Sequence, residues 1–216
     1  MALVHFFALA TARVHESFDG DVGALATSTV GARRTWYSSR RMQEPFEGHV
    51  PQVHPDAFVH SAAILIGEVE IGPESSVWPT ATLRGDDGPI RIGARTSIQD
   101  GTVIHNTEGL STTTVGDRVT VGHRVILHGC TVGDDCIIGM GCIILDNAVV
   151  EPGCIVGAGA VIPPGKRVEA GTVVVGNPMR LLRTCTEKDT EFIAYSWKEY
   201  VKRVGQYRAR DARGNG

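Results

Sequence analysis

Hydrophobic residues recur at every sixth position over most of this chain. The series runs Val53, Val59, Leu65, Ile71, Val77 and Leu83, then Ile92, Ile98 and Ile104, then Val115, Val121 and Leu127. It resumes as Val132, Ile138, Ile144, Val150, Val156, Ile162, Val168 and Val174. Insertions follow Leu83 and Ile104, and the hexad from Leu127 to Val132 is one residue short. Four positions after most of these residues stands a small or β-branched one, for example Ala63, Ala81, Val125, Ala148 and Ala160. A unit this short cannot bury its apolar side alone, so the period predicts a solenoid of stacked short strands and turns. The twenty positions, at three per coil, make between six and seven coils from Val53 to about Pro178. With strands roughly 4.8 Å apart, the body is on the order of 30 Å tall.

The period changes after Pro178. Thr186 with Asp189 reads as a helix N-cap, followed by a helix over Thr190 to Val204. Ile193, Trp197, Tyr200, Val201 and Val204 fall on one side of it at helical spacing and should pack along a flank of the solenoid. The basic segment after Gly205 reads as a frayed end. The expected division is an N-terminal extension over 1–50, the repeat domain with the site over 51–180, and a C-terminal helix and tail over 181–216.

Residues 1–41 contain no hexads and read as a poorly ordered extension. Met1 to Ala12 is apolar but lacks a basic start, and Glu16, Asp19 and Asp21 interrupt the arginine pairs that an organelle presequence would use. A start of translation at Met42 and a cytoplasmic location are the expectations, with organelle targeting left open. N-terminal sequencing that finds residues 1–41 in the natural protein would remove the first.

Composition narrows the picture. Twenty-six glycines beside 6% aromatic residues point to many tight turns rather than a core of large side chains. A net charge of −3 gives no reason to expect nucleic acid or an anionic membrane as partner, and no apolar run reaches the roughly 18 residues of a membrane span. Of five cysteines, Cys136, Cys142 and Cys154 occupy small inward positions, while Cys130 lies in the short hexad and Cys185 outside the repeat. They read as reduced packing residues, and no CxxC pair suggests a zinc site.

Counting coils locates the chemistry. Leu83, Ile104 and Leu127 stand three hexads apart once the insertions are set aside, so Arg84, His105 and His128 form one vertical column. Ile98 and Val121 share a second side, which sets Asp100 beside His123. Stacked imidazoles at strand spacing can share a metal ion about 2.0–2.1 Å from each nitrogen. His123 faces another side, so it would complete such a site only from a neighbouring chain, and cyclic closure of three chains gives three sites. Three imidazoles with an open fourth position suit a catalytic ion rather than a structural one. His54 and His60 read as solvated side chains of turns.

The run Leu83-Arg84-Gly85-Asp86, Ile98-Gln99-Asp100-Gly101 with His105, Val121-Gly122-His123 and Leu127-His128-Gly129-Cys130 resembles the γ-class carbonic anhydrase family. Gly139-Met140-Gly141 and Gly176-Asn177-Pro178 are similar to it too, and the resemblance extends over about residues 50 to 207. It implies a mainly β fold, a left-handed parallel β-helix of hexapeptide repeats with a C-terminal α-helix. It also implies a homotrimer with Zn2+, or Fe2+ or Co2+, held between subunits by His105, His123 and His128. The implied reaction is hydration of CO2 to bicarbonate by metal-bound hydroxide. In the family pattern Arg84 and Asp100 pair across the interface, Asp86 supports the site, Gln99 points to the bound solvent, and Asp87 and Glu108 are candidates for proton handling. The chain departs from that pattern after His105, where the loop Asn106 to Thr114 carries Glu108 as its single acid. Asp86 and Asp87 also read as turn residues, because Asp-Asp-Gly suits a loop.

Two other classes remain open. A hexapeptide-repeat acyltransferase, or a metal-dependent thioesterase, would act on an acyl-CoA between prisms. A non-catalytic metal-stabilised trimer would serve as a scaffold.

Overall fold

The computed structural model describes residues 42–214. The expectations for residues 1–41 lie outside the described residues. The hexads form three faces. The first is built on the rungs of Leu65, Leu83, Ile104, Leu127, Ile144 and Ile162, the second on Ile71, Ile92, Val115, Val132, Val150 and Val168, and the third on Val77, Ile98, Val121, Ile138, Val156 and Val174. Every one of these side chains points into a single core and is at most 3% exposed. Cys136, Cys142, Cys154 and Ala160 fill the corners between them, fully buried, and the five cysteines are unbridged. Burial pushes the Cys130 thiol up to about 12, which suits packing rather than reactivity.

The corners are what let a short repeat close. The third residue after the inward one takes a left-handed backbone, as at Thr80 (φ 61°), Arg95 (φ 56°) and Arg124 (φ 56°). In the short hexad the left-handed residue comes one position earlier, at Gly129 (φ 58°), directly after His128. Buried hydroxyls tie successive corners together: Thr96 Oγ1 accepts from Val119 N at 3.1 Å, and Thr113 Oγ1 accepts from Gly129 N at 3.0 Å.

Three features of the strands depart from the sequence expectations. The Asp-Asp-Gly segment makes no turn, because Thr82–Ile92 runs as one long strand around a corner beside the Ile64–Ile71 strand. Gly67 pairs with Gly85 there, and a Cβ on either would strike the other strand's backbone. The extension assigned to residues 1–50 includes a strand, Met42–Glu44, paired in parallel with Ile64–Ile66. Arg180–Thr184, where the 180/181 boundary falls, returns as a strand antiparallel to Thr172–Val175.

The helix, α1, spans Glu187–Gly214 and so starts earlier and ends later than expected. Its start is a reciprocal cap, with Asp189 Oδ2 accepting from Thr186 N at 2.7 Å and Thr186 Oγ1 accepting from Asp189 N at 3.4 Å. Gly205 does not end it, because Tyr207, one turn beyond Val204, packs edge-on against Trp78 (5.0 Å) and Phe58 (5.8 Å) of the third face. Trp78 donates Nε1–H to Ser76 Oγ and Ser97 Oγ, both at 3.0 Å, which fixes the floor on which α1 lies.

Candidate metal centre

The corner between the first and second faces carries the histidine column. His128 pairs with His105 in parallel register, and His105 Nδ1 lies 3.3 Å from His128 Nε2. Arg84, one coil below, brings Nη2 to 3.2 Å from the same His105 nitrogen and donates Nη1–H to Asp86 at 2.5 Å. Within one chain, therefore, Arg84 pairs with Asp86. The cross-interface partner expected for it, Asp100, stands at the next corner.

Each imidazole has a carboxylate behind it. His128 Nδ1 lies 3.1 and 3.2 Å from the two oxygens of Asp146. His105 Nε2 lies 3.1 Å from Asp86 and 3.0 Å from Asp87. At the corner between the third and first faces, His123 Nδ1 lies 3.1 Å from Asp100, as the hexad count predicts. The arrangement leaves one nitrogen of each ring free of carboxylate: His105 Nδ1, His128 Nε2 and His123 Nε2. Burial opposes ionisation of Asp86 and Asp146, but hydrogen bonds from Arg84 to the first and from Ser111 and His128 to the second outweigh it and hold both below the usual carboxylate value.

Two insertions frame the column. Asn106 is buried and donates to Gly88 O at 2.8 Å, and Thr113 Oγ1 donates to Asn106 Oδ1 at 2.8 Å, so the loop after His105 is fastened to the Asp86–Pro89 segment. Ser111 donates to Asp146 Oδ1 at 2.5 Å and accepts from Thr107 N at 3.1 Å. Asn106, Ser111 and Asp146 are site-shaping residues that sequence reasoning missed. Asp146 stands one residue past the position level with His128 in the next coil. Glu108 is exposed at the tip of this loop.

Gln99 does not join the His105–His128 column of its own chain. It is 5% exposed and lines a groove with His123 and with Tyr200 of α1 instead. Its place under the helix follows from the third-face register, Val121 with Ile98, which puts Gln99 beside Gly122.

The donors fit a divalent ion. Two imidazole nitrogens sharing one tetrahedral ion at about 2.0–2.1 Å each stand about 3.3–3.4 Å apart, and the His105–His128 separation of 3.3 Å matches. A carboxylate on the remote nitrogen of each ring is the usual means of fixing a ligand's tautomer and direction. Asp86, Asp87 and His105 form a second group whose ligand atoms lie within 4.8 Å of one another.

Between the two histidine corners runs the outer row of the first face: Ile64, Thr82, Val103, Ile126, Ile143 and Val161. Val103 is 42% and Ile126 38% exposed. The corresponding row of the second face is polar or charged at Gln52, Glu70, Arg91, Thr114, Thr131 and Arg167, with Val149 its one apolar member.

Comparison with known proteins places this architecture. Residues 112–146 match the family model described as bacterial transferase hexapeptide (six repeats). The carnitine operon protein CaiE of Escherichia coli O157:H7 is 38% identical over 164 residues, 76% of this chain and 83% of that protein. CaiE of Salmonella newport is 41% identical over 155 residues, covering 72% and 78%. A hexapeptide transferase family protein from Anaplasma phagocytophilum has a similar structure, with a TM-score of 0.74 at 38% identity over 77% of this chain and 98% of that one. A candidate acetyltransferase from Bacillus cereus gives 0.76 at 34% identity, covering 78% and 97%. With its coils, its sequence and these relatives in agreement, the chain belongs to the hexapeptide-repeat family of left-handed β-helix proteins.

Proposed function

We propose that this chain is a homotrimeric enzyme that transfers the acyl group of a thioester to water or a small acceptor at a histidine site between subunits. The observation that carries the reading is the His105–His128 pair, 3.3 Å apart with a carboxylate behind each ring. Similarity to transferase-type hexapeptide proteins supports the substrate class. The apolar outer row of the first face supports the assembly, because a second copy docked there would cover Val103 and Ile126 and sit between the His123 corner and the His105–His128 corner.

His105, His128 and the His123 of an adjoining copy would hold a divalent ion, Zn2+, Fe2+ or Co2+. When bound, such an ion lowers the pKa of water to about 7 and polarises a carbonyl oxygen. The chain's own groups do the rest. Asp146, Asp86 and Asp100 fix the rings by taking the remote N–H. The attacking water or hydroxyl gives up its proton to solvent as its oxygen bonds to the acyl carbon, and Asp87, 38% exposed beside the remote nitrogen of His105, relays that proton away. The carbon–sulfur bond then breaks and the thiol leaves with a proton from solvent. Glu108, exposed on the adjoining loop, carries the released proton outward.

The test is thiol release from acetyl-CoA and butyryl-CoA by protein of known metal content, with and without an amine or alcohol acceptor. The reading expects release that is lost in His105→Ala. Release without acceptor marks hydrolysis and release only with acceptor marks transfer. No release under any of these conditions would contradict it.

A second reading, γ-type carbonic anhydrase, is favoured by the same three histidines within the Arg84 to His128 run that resembles that family. The site would then act on CO2, forming bicarbonate and a proton. Stopped-flow CO2 hydration above the buffer rate, with thioesters untouched, would select it.

A further inference from the structure

We propose that the groove between α1 and the third face is the acyl-chain site of this enzyme, an assignment that rests on the acyl-thioester reading for its substrate. The groove has a volume of about 710 Å³, within the range of small-molecule pockets. Apolar and aromatic groups form much of its lining, with Trp78 and Ile137 on the prism, Met140 at a corner and Tyr195 on α1, while Glu199 and Arg203 add an opposite pair of charges from α1. Met140, Phe192 and Tyr195 are 58%, 55% and 60% exposed. His123 and Asp100 form part of the same lining, so the groove reaches the corner that would face the His105–His128 pair of an adjoining copy.

A second observation points to a ligand rather than to bare surface. On the third face the outward row runs Ser76, Ser97, Thr120. The two serines share the indole N–H of Trp78, but Thr120 Oγ1, one rung higher and in a residue only 7% exposed, has no partner. It is the one buried side-chain oxygen or nitrogen so placed among the described residues. A buried hydroxyl left unmade is costly, and Thr120 lines this groove. A ligand that is apolar along its length and offers one polar atom, such as the carbonyl of an acyl group, satisfies both the walls and the hydroxyl.

The experiment measures binding, so that it does not depend on turnover. S-alkyl ethers of coenzyme A with two to eight carbons, and straight-chain carboxylates from butyrate to octanoate, are titrated calorimetrically against wild type, Thr120→Val and Ala158→Trp. Ala158 is an exposed groove residue, so the larger side chain fills the groove without entering the core. Wild type should gain up to about fourfold in affinity per added methylene until the groove is full. Ala158→Trp should flatten that series. Thr120→Val should weaken the longer ligands several-fold while leaving the free protein as stable or more so, because it removes an unpartnered hydroxyl. Thioester turnover with a flat series in wild type, or a series untouched by Ala158→Trp, overturns the groove assignment and leaves the function standing. Chain-length-dependent carboxylate binding that Ala158→Trp abolishes, without any thioester turnover, overturns the function and leaves the groove. Failure of every ligand to bind overturns the groove assignment.

Discussion

His128 Nδ1 lies 3.1 Å from Asp146 Oδ1, and that same oxygen takes the hydroxyl of Ser111 at 2.5 Å. The contact joins three consecutive layers of the site: the loop after His105, the second stacked histidine, and the coil above it. It fixes His128 with Nε2 turned toward His105, the direction an ion between the two rings requires.

Replacing Asp146 by Asn should therefore preserve the fold and cost about 10–100-fold in metal affinity, the usual penalty for losing a carboxylate behind a ligating histidine. Chelator competition on the purified variant measures it. Wild-type affinity would show that His128 is oriented by its stacking alone.

Gly129 makes room for the same contact. Its φ is 58°, and a Cβ there would fall on Ser111 Oγ and Asp146 Oδ1. Gly129→Ala should cost roughly 1–3 kcal/mol through the left-handed backbone and the lost hydrogen bond. It should lower Tm by roughly 2–4 °C for each kcal/mol and weaken metal binding as well. Thermal unfolding of metal-free and metal-loaded protein separates the two effects.

Asn106 fastens the two insertions. Asn106→Ala removes its hydrogen bonds to Gly88 O, Pro89 O and the buried Thr113 Oγ1. A loss of about 1–3 kcal/mol is expected, with faster amide exchange over residues 86–89 and 106–112. Exchange confined to the helix, or no change, would contradict the assignment.

The start of α1 should be acid-sensitive. The Asp189 carboxylate is held well below its ordinary value of 3.8, first by the Arg183 guanidinium and then by Thr186. A group whose pKa is depressed on folding adds stability above its unfolded pKa and loses that contribution as pH falls through the folded value. Helical circular dichroism should fall at pH below about 3.8 in wild type. Asp189→Asn should show the same fraying already at neutral pH.

The sequence made the register of the site legible because a hexad count is a count of coils. The pairing of His128 with His105 and the approach of Asp100 to His123 follow from it without knowledge of side-chain conformations. Asp146 did not follow, since the short hexad displaces the corner and the residue level with His128 in the next coil is Leu145, not the aspartate. The packing of Gln99 under α1 was not legible, because the count gives its corner but not the helix that closes over it. The end of α1 was misplaced at Gly205 because the stop signal is local, whereas Tyr207 is held by Phe58 and Trp78, far away in sequence. The Arg180–Thr184 strand is exposed along its whole length, so no alternation marks it.

The central claim, a site completed between subunits, is tested most directly by native mass and elemental analysis of wild type and His123→Ala. The account predicts a wild-type trimer with about one metal ion per chain, and a variant that loses the metal and dissociates more readily. A wild-type monomer, or a variant that keeps both its trimer and its metal, would contradict it.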